Sequence, residues 1–562
     1  MKHFKTFFLT LAFLGLSVSN TFAQTAPVYV GPRTNSYDDP VDGIYVSPSG
    51  NDATATGAID APYKSINTAL ATAQSGSTII LRSGKYLEGA SVRVREPNIT
   101  IKSKKGEWAI IELPFTDDPN NGNCGVFFNP EASNCKLQSV EVIGGFYAVC
   151  MDTKWGWGGS DDWMAASDII IEDCKLHDSR YDVVKVKPNC KNITIRYNEI
   201  YNSGKAFPPP YIGENNAEGI DNVNGGNMTV HNNYIHDICS TGIYAKGGAT
   251  DVLIENNLIK QTYGSGILVG FDTSPEFFNT EENPEYYENI RGVVHNNLII
   301  DAGHEGIGFY ASKDAHVYHN TLVNVGNGGL YHSAIYFGIT YQDWEEYAGR
   351  PASIHPNIHH NIVCQPTSFV LPMIDIRYDD NEQLGILSAL EGNPTMNDNC
   401  YYVAGKSAIF SDHRQGSILE NAGLPAWKLH IDGDNGSLET DTALGSDYMH
   451  TNTQCTEMGI RSPFIINNPL GIVTTTLNNR IAVYPNPTTG VLNLIQERIT
   501  NYELRIKDVE IFDIFGKKLS SHHLITSSSN HLINISDLPT GIYFIKIFNE
   551  NNRVETFKII KQ

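Results

Sequence analysis

Three carboxylates and three lysines fall at matched places in a set of similar short segments. Aligned on their aliphatic residues, these read Asp182-Val183-Val184-Lys185-Val186-Lys187, Glu218-Gly219-Ile220-Asp221-Asn222-Val223, Thr241-Gly242-Ile243-Tyr244-Ala245-Lys246, Ser265-Gly266-Ile267-Leu268-Val269-Gly270 and Glu305-Gly306-Ile307-Gly308-Phe309-Tyr310. Tyr147-Ala148-Val149-Cys150-Met151-Asp152 fits as an earlier row. The third and fifth places are mostly apolar and are expected to face a core, and the fourth and sixth to face outward. One outward column then holds Cys150, Lys185, Asp221 and Tyr244. The other holds Asp152, Lys187, Val223 and Lys246. At the first place Asp182 stands beside Glu218, and adjacent strands lie only about 4.8 Å apart. Carboxylates at that separation repel unless a cation or a proton sits between them.

Asp182, Glu218 and Asp221 are therefore expected to hold a hard cation, Ca2+. A lysine beside such a cation and other lysines is expected to have a lowered pKa, as a general base near neutral pH requires. Lys246, Lys187 and Lys185 are the candidates. A plainer reading makes these solvated charges on a wall, with Lys185 simply paired to Asp221. Gly219, Gly242, Gly266 and Gly306 at the second place either leave room for a ligand or form a tight bend.

Two insertions flank this face. Residues 205–217 hold Phe207-Pro208-Pro209-Pro210-Tyr211, and residues 271–289 hold Phe277, Phe278, Tyr286 and Tyr287. Their aromatic rings either stack on sugars or pin the loops down. Trp155, Trp157 and Trp163 are expected along the near side of the same groove. Tyr244, Arg180, Tyr211 and Tyr310 are the expected substrate contacts.

Repeated short strands must position these groups. Between Ile193 and Val363 one phrase recurs, an apolar strand followed by Asn, one residue and an aliphatic, at Asn198, Asn233, Asn257, Asn297, Asn320 and Asn361. The shorter spacings give a period of about 23–24 residues, which predicts a solenoid. The asparagines are expected to form a side-chain ladder along its axis, with Cys174 at the same place one coil earlier. Residues 65–73 read as a short helix that covers the open first coil. The pattern weakens over residues 405–473, which read as last coils, a cap and a linker.

The chain ends differ in kind from its centre. Met1 to Ala23 has two lysines, an apolar run from Phe7 to Val18 and a small-residue site before Gln24, which predicts a secretory signal peptide. Residues 474–562 hold short strands separated by turns, which predicts a small β-sandwich. The fold expected is thus all-β: a signal peptide over residues 1–23, a right-handed parallel β-helix over 24–473 and a C-terminal sandwich over 474–562. The nine cysteines form no CxxC pair, so a thiolate zinc site is not expected, and most read as packing residues.

The formal net charge of −22 argues against a nucleic-acid partner. It also opposes an anionic substrate, unless a cation or a local basic patch intervenes.

Gly76-Ser77-Thr78-Ile79-Ile80-Leu81-Arg82-Ser83-Gly84-Lys85-Tyr86 resembles the first coil of extracellular right-handed β-helix proteins, many of them polysaccharide lyases. Val483-Tyr484-Pro485-Asn486-Pro487-Thr488-Thr489-Gly490 and the strands after it resemble the C-terminal sorting domain of the Bacteroidetes type IX secretion system. That resemblance implies passage across the outer membrane by that machinery, to a secreted or cell-surface location. Glu218-Gly219-Ile220-Asp221 resembles the calcium-binding phrase of polysaccharide lyase family 9, although the family phrase is richer in Asp. The resemblance implies a Ca2+-assisted β-elimination on an acidic, uronic-acid-containing polysaccharide, with Asp182 as the ligand from the preceding coil and Lys246 as the base. A glycoside hydrolase using the paired carboxylates, a C5-epimerase and a glycan-binding adhesin are the alternatives. A monomer is the default for such a solenoid.

Overall fold

The structure, a computed structural model, describes residues 26–561 apart from 115–121, 156–161, 205–215, 329–331, 341–348, 383, 468–480, 485–487, 497–505, 514–516, 524–529 and 550–553. The expected signal peptide and Tyr211 lie outside the described residues, as does Trp157.

Period-2 alternation buries one face of each strand, and the coil repeat stacks those faces into a solenoid. Three twelve-stranded sheets run its length, parallel apart from the antiparallel strand Leu419–Ala422 that ends one of them. Val184, Val186, Ile220, Ile243, Ala245, Ile267 and Phe309 belong to one continuous apolar core. The Ile66–Thr72 helix covers the first coil, with the Ser65 hydroxyl accepting from the Thr68 amide at its start. At the far end the Leu424–Ile431 helix places Trp427 against Phe410 in the core.

The asparagines form the expected ladder. Each side-chain amide donates to the next Oδ1 at 3.0–3.1 Å, from Asn198 through Asn233, Asn257, Asn297, Asn320 and Asn361 to Asn399. Asn399 is a rung the repeat did not reveal, because Tyr401 replaces the aliphatic that marks the phrase. Cys174 holds the equivalent place, its amide donating to Asn198 Oδ1 at 2.9 Å.

The last part of the segment read as last coils, a cap and a linker folds back. Phe464–Ile466 pairs in parallel with Val28–Val30, and the two strands cover Leu258, Leu298 and Ile300 on the outside of one sheet. Cys400 and Cys455 form a disulfide in this region. Cys124, Cys135, Cys150, Cys174 and Cys190 are buried thiols outside that disulfide. Beyond it, a three-stranded and a four-stranded antiparallel sheet share Leu492, Val509, Ile511, Ile533, Ile545 and Ile559, which makes the C-terminal unit a sandwich.

Candidate active site

One sheet carries the chemistry. Its strands Val149–Met151, Val184–Val186, Ile220–Val223 and Ile243–Lys246 pair in the register Cys150–Lys185–Asp221–Tyr244, with Val223 beside Lys246. The Glu218 amide donates to Asp182 Oδ1 at 3.1 Å, so the first-place residues also stack. Coil register therefore brings Asp182, Glu218 and Asp221 together, with one ligand atom from each within 4.8 Å of the others.

The cluster is buried and incompletely satisfied. Asp182 and Asp221 are 0 % exposed and Glu218 is 1 %. Ser240 donates to Glu218 Oε1 at 3.1 Å. Asp182 Oδ2, Glu218 Oε2 and Asp221 Oδ1 make no hydrogen bond. The Lys185 ammonium contacts Asp221 Oδ2 and lies 3.2 Å from Asp182 Oδ2, without hydrogen-bond alignment to the latter. Three ionised carboxylates against one ammonium would leave two negative charges in a buried space. Burial, then the charge of Asp182, pushes the Glu218 carboxyl well above the usual range. Burial also opposes ionisation of Asp221, but Lys185 and Lys246 outweigh it and hold Asp221 below its ordinary value. Glu218 thus keeps a proton that a cation would displace.

The three lysines differ in their ties. Burial alone would lower Lys185, yet the Asp221 and Asp182 charges raise it well above its usual value. Lys187 is raised likewise, burial being overcome by Cys150 and by its partner Asp152 at 2.7 Å. The expectation of a lowered lysine pKa is thus corrected at both positions, because each ammonium stands against a carboxylate. Lys246 has no carboxylate partner among the described residues. Its ammonium lies 4.6 Å from the Tyr244 ring centroid and 5.8 Å from that of Phe271.

Lys185, Lys187, Asp221 and Lys246 line a cleft of about 510 Å³. Its sides come from two excursions. Trp155 stacks on Trp163 at 3.9 Å, and its indole N–H donates to the Glu276 carbonyl at 3.0 Å. Phe271, Thr273 and Phe277 of the second excursion also line it, and Asn224 fastens that loop through the Phe277 carbonyl at 2.7 Å. Beneath the loop, Glu288 accepts from the Gly247 amide, the Thr273 amide and hydroxyl, and Arg350. It thereby joins the turn after Lys246 to the cleft wall. Sequence reasoning missed Glu288, one of several acidic residues in a stretch without period.

Several expected contacts lie elsewhere. Tyr244 and Tyr310 are 5 % and 4 % exposed and sit under Phe271, outside the cleft lining. Tyr310 instead donates to Glu305 at 2.8 Å. Arg180 lies by Tyr181 at a corner, also outside the lining. Of the loop aromatics, Phe277 lines the cleft, whereas Phe278 and Tyr287 are buried and pin the loop. The glycines serve the bend. A Cβ at Gly219, Gly242 or Gly266 would meet the next coil's carbonyl at 2.5–2.6 Å, so they admit backbone rather than ligand.

Residues 119–337 match the family described as Right handed beta helix region, and residues 482–562 match the Secretion system C-terminal sorting domain. The chain is 34 % identical over 119 residues to pectate lyase PEL9 of Emericella nidulans, a match over 19 % of this chain and 29 % of that protein's length. The crystal structure of pectate lyase Pel9A is similar at TM-score 0.41 and 14 % identity, over 61 % of this chain and 81 % of that one. An alginate lyase from Paenibacillus sp. str. FPU-7 is similar at TM-score 0.35 and 14 % identity, over 62 % and 93 %.

Proposed function

We propose that this right-handed β-helix protein with a C-terminal sorting domain is an exported polysaccharide lyase that cleaves a uronic-acid-containing polymer by β-elimination. The observation that carries the reading is a cluster of three buried carboxylates, each with one oxygen lacking a hydrogen bond, whose member Asp221 lines one cleft with three lysines. The PEL9 segment match supports the same reading, and the sorting domain supports export through the type IX machinery.

The donor set fits Ca2+, since it is all carboxylate oxygen with two uncompensated charges. Asp182, Glu218 and Asp221 would hold it. A bound Ca2+ would supply positive charge to a uronate carboxylate, making the C5 proton more acidic. Lys246, which no carboxylate clasps among the described residues, takes that proton. The C5–H electron pair forms the C4–C5 double bond, and the C4–O bond breaks with its electron pair leaving on oxygen, which takes a proton from solvent water. Lys185 and Lys187, held as ammonium ions by their carboxylates, offset the substrate's charge. Trp155 and Phe277 offer ring faces to sugars. The acidic whole molecule thus still brings three lysines to this one cleft.

The test incubates the purified exported protein with pectate and with alginate, in Ca2+ and in EDTA. Ultraviolet absorbance from a new C4–C5 double bond, lost in EDTA, is the expected result. New reducing ends without absorbance would replace elimination by hydrolysis. Neither signal would leave a glycan-binding solenoid.

A further inference from the structure

A second cluster stands on the same sheet. Glu305 occupies the first place of its row, as Glu218 does, and the Ile307–Tyr310 strand lies three pairings beyond Ile220–Val223. That separation is about 14 Å. His304 precedes Glu305 as His332 precedes Ser333, so the two imidazoles share one corner place on successive coils. Their rings stack at 4.2 Å with planes 7° apart. A ligand atom from each of His304, Glu305 and His332 lies within 4.8 Å of the others.

Stacking accounts for the rings but not for the carboxylate. Glu305 is 0 % exposed, and Tyr310 holds its Oε1 at 2.8 Å. Its Oε2 lies 2.7 Å from His332 Nδ1, yet the pair is not aligned as a hydrogen bond, and both atoms lack a hydrogen-bond partner. Two ligands bound at about 2.05 Å to one small cation stand about 2.7–3.4 Å apart. A carboxylate with one oxygen fixed by a hydroxyl and the other free is also the usual outer-sphere arrangement of a metal ligand.

We propose that His304, Glu305 and His332 bind a transition-metal dication of the Zn2+ class, at a site separate from the all-carboxylate cluster. Imidazole nitrogen selects borderline metals, whereas three carboxylates select hard ones. The wall then carries two cation sites of different chemistry. The half-exposed side chains of His304 and His332 leave the remaining coordination positions to water or a small ligand.

The experiment strips the purified full chain with chelator, then titrates it with Zn2+ and with Co2+. One equivalent of Zn2+ is expected, undisplaced by excess Ca2+, and Co2+ should give a visible d–d spectrum. Glu305→Gln and His332→Ala should each weaken Zn2+ binding by tenfold or more, and Tyr310→Phe by about tenfold through the outer sphere. Should the buried-site variants fail to fold, His304→Ala at the half-exposed position decides the matter by the same readout. His316→Ala combined with His359→Ala, at another close histidine pair, should leave Zn2+ binding unchanged. Failure of the unaltered protein to bind Zn2+ would overturn the proposal. So would unchanged binding in the folded variants, or loss of binding on removing His316 and His359.

Discussion

Among the three lysines of the cleft, ion pairing separates the roles. A lysine clasped by carboxylates keeps its proton and cannot act as a base, which sets Lys185 and Lys187 apart from Lys246. Lys246→Met keeps the stem over Tyr244 and removes the amine. It should lower kcat on the elimination substrate by about 10²–10⁴-fold with little change in melting temperature, as general-base loss does. Lys187→Met should act mainly on KM. Initial rates across substrate concentration separate the two. Glu218→Gln tests the cluster differently. Glu218 already holds a proton when no cation is bound, so the neutral isostere should melt within about 1 kcal/mol of the unaltered protein in EDTA. The gain in melting temperature on adding Ca2+ should disappear, because a ligand stabilises only the state that binds it. Calorimetry with and without Ca2+ checks both halves.

At the scale of elements, the Asn ladder holds the coils in register, and the site depends on that register. Asn257 donates to Asn297 Oδ1, Val230 O and Glu255 O, and accepts from the Asn233 amide and side chain. Asn257→Ala strands these groups in a dry interior. The expected cost is about 3 kcal/mol, since each unsatisfied buried polar group costs about 1–3 kcal/mol and the losses are not additive. Urea unfolding followed by circular dichroism measures it. The cleft walls obey a different rule. They are built by excursions tied through Glu276, Phe277 and Glu288, where no repeat constrains the sequence.

Two histidines of the solenoid work against the fold in acid. Burial, and then the charge of Arg461, pushes His319 down to about 4; burial and then His316 do the same to His359. In the unfolded chain both protonate near pH 6.5. Between about 6.5 and 4 the unfolded state therefore binds more protons than the folded one, and stability falls as pH falls through that window. Both side chains are partly exposed, so screening reduces the effect to about 1 kcal/mol each. His359→Gln should flatten the decline in melting temperature from neutral pH to pH 4, and an unchanged slope would refute the assignment. Over the same molecule, the paired Val28–Val30 and Phe464–Ile466 strands, from before and after the solenoid coils, cover a patch of one sheet's outer face.

What repeats was readable in the sequence. Alternation fixed which residues face the core, and the Asn phrase fixed the coil period. Stacking at one strand spacing per coil then brought Asp182, Glu218 and Asp221 to one patch. These are periodic properties, carried by every coil and requiring no long-range information. Tertiary structure decided what has no period: the partners of Lys185 and Lys187, the cover that Phe271 places over Tyr244 and Tyr310, and the inward packing of the corner glycines. It also decided the Cys400–Cys455 bond, the rung at Asn399 and the strand that returns to Val28–Val30. Each of these is set by segments distant in sequence that meet once, so nothing local to either segment announces the other.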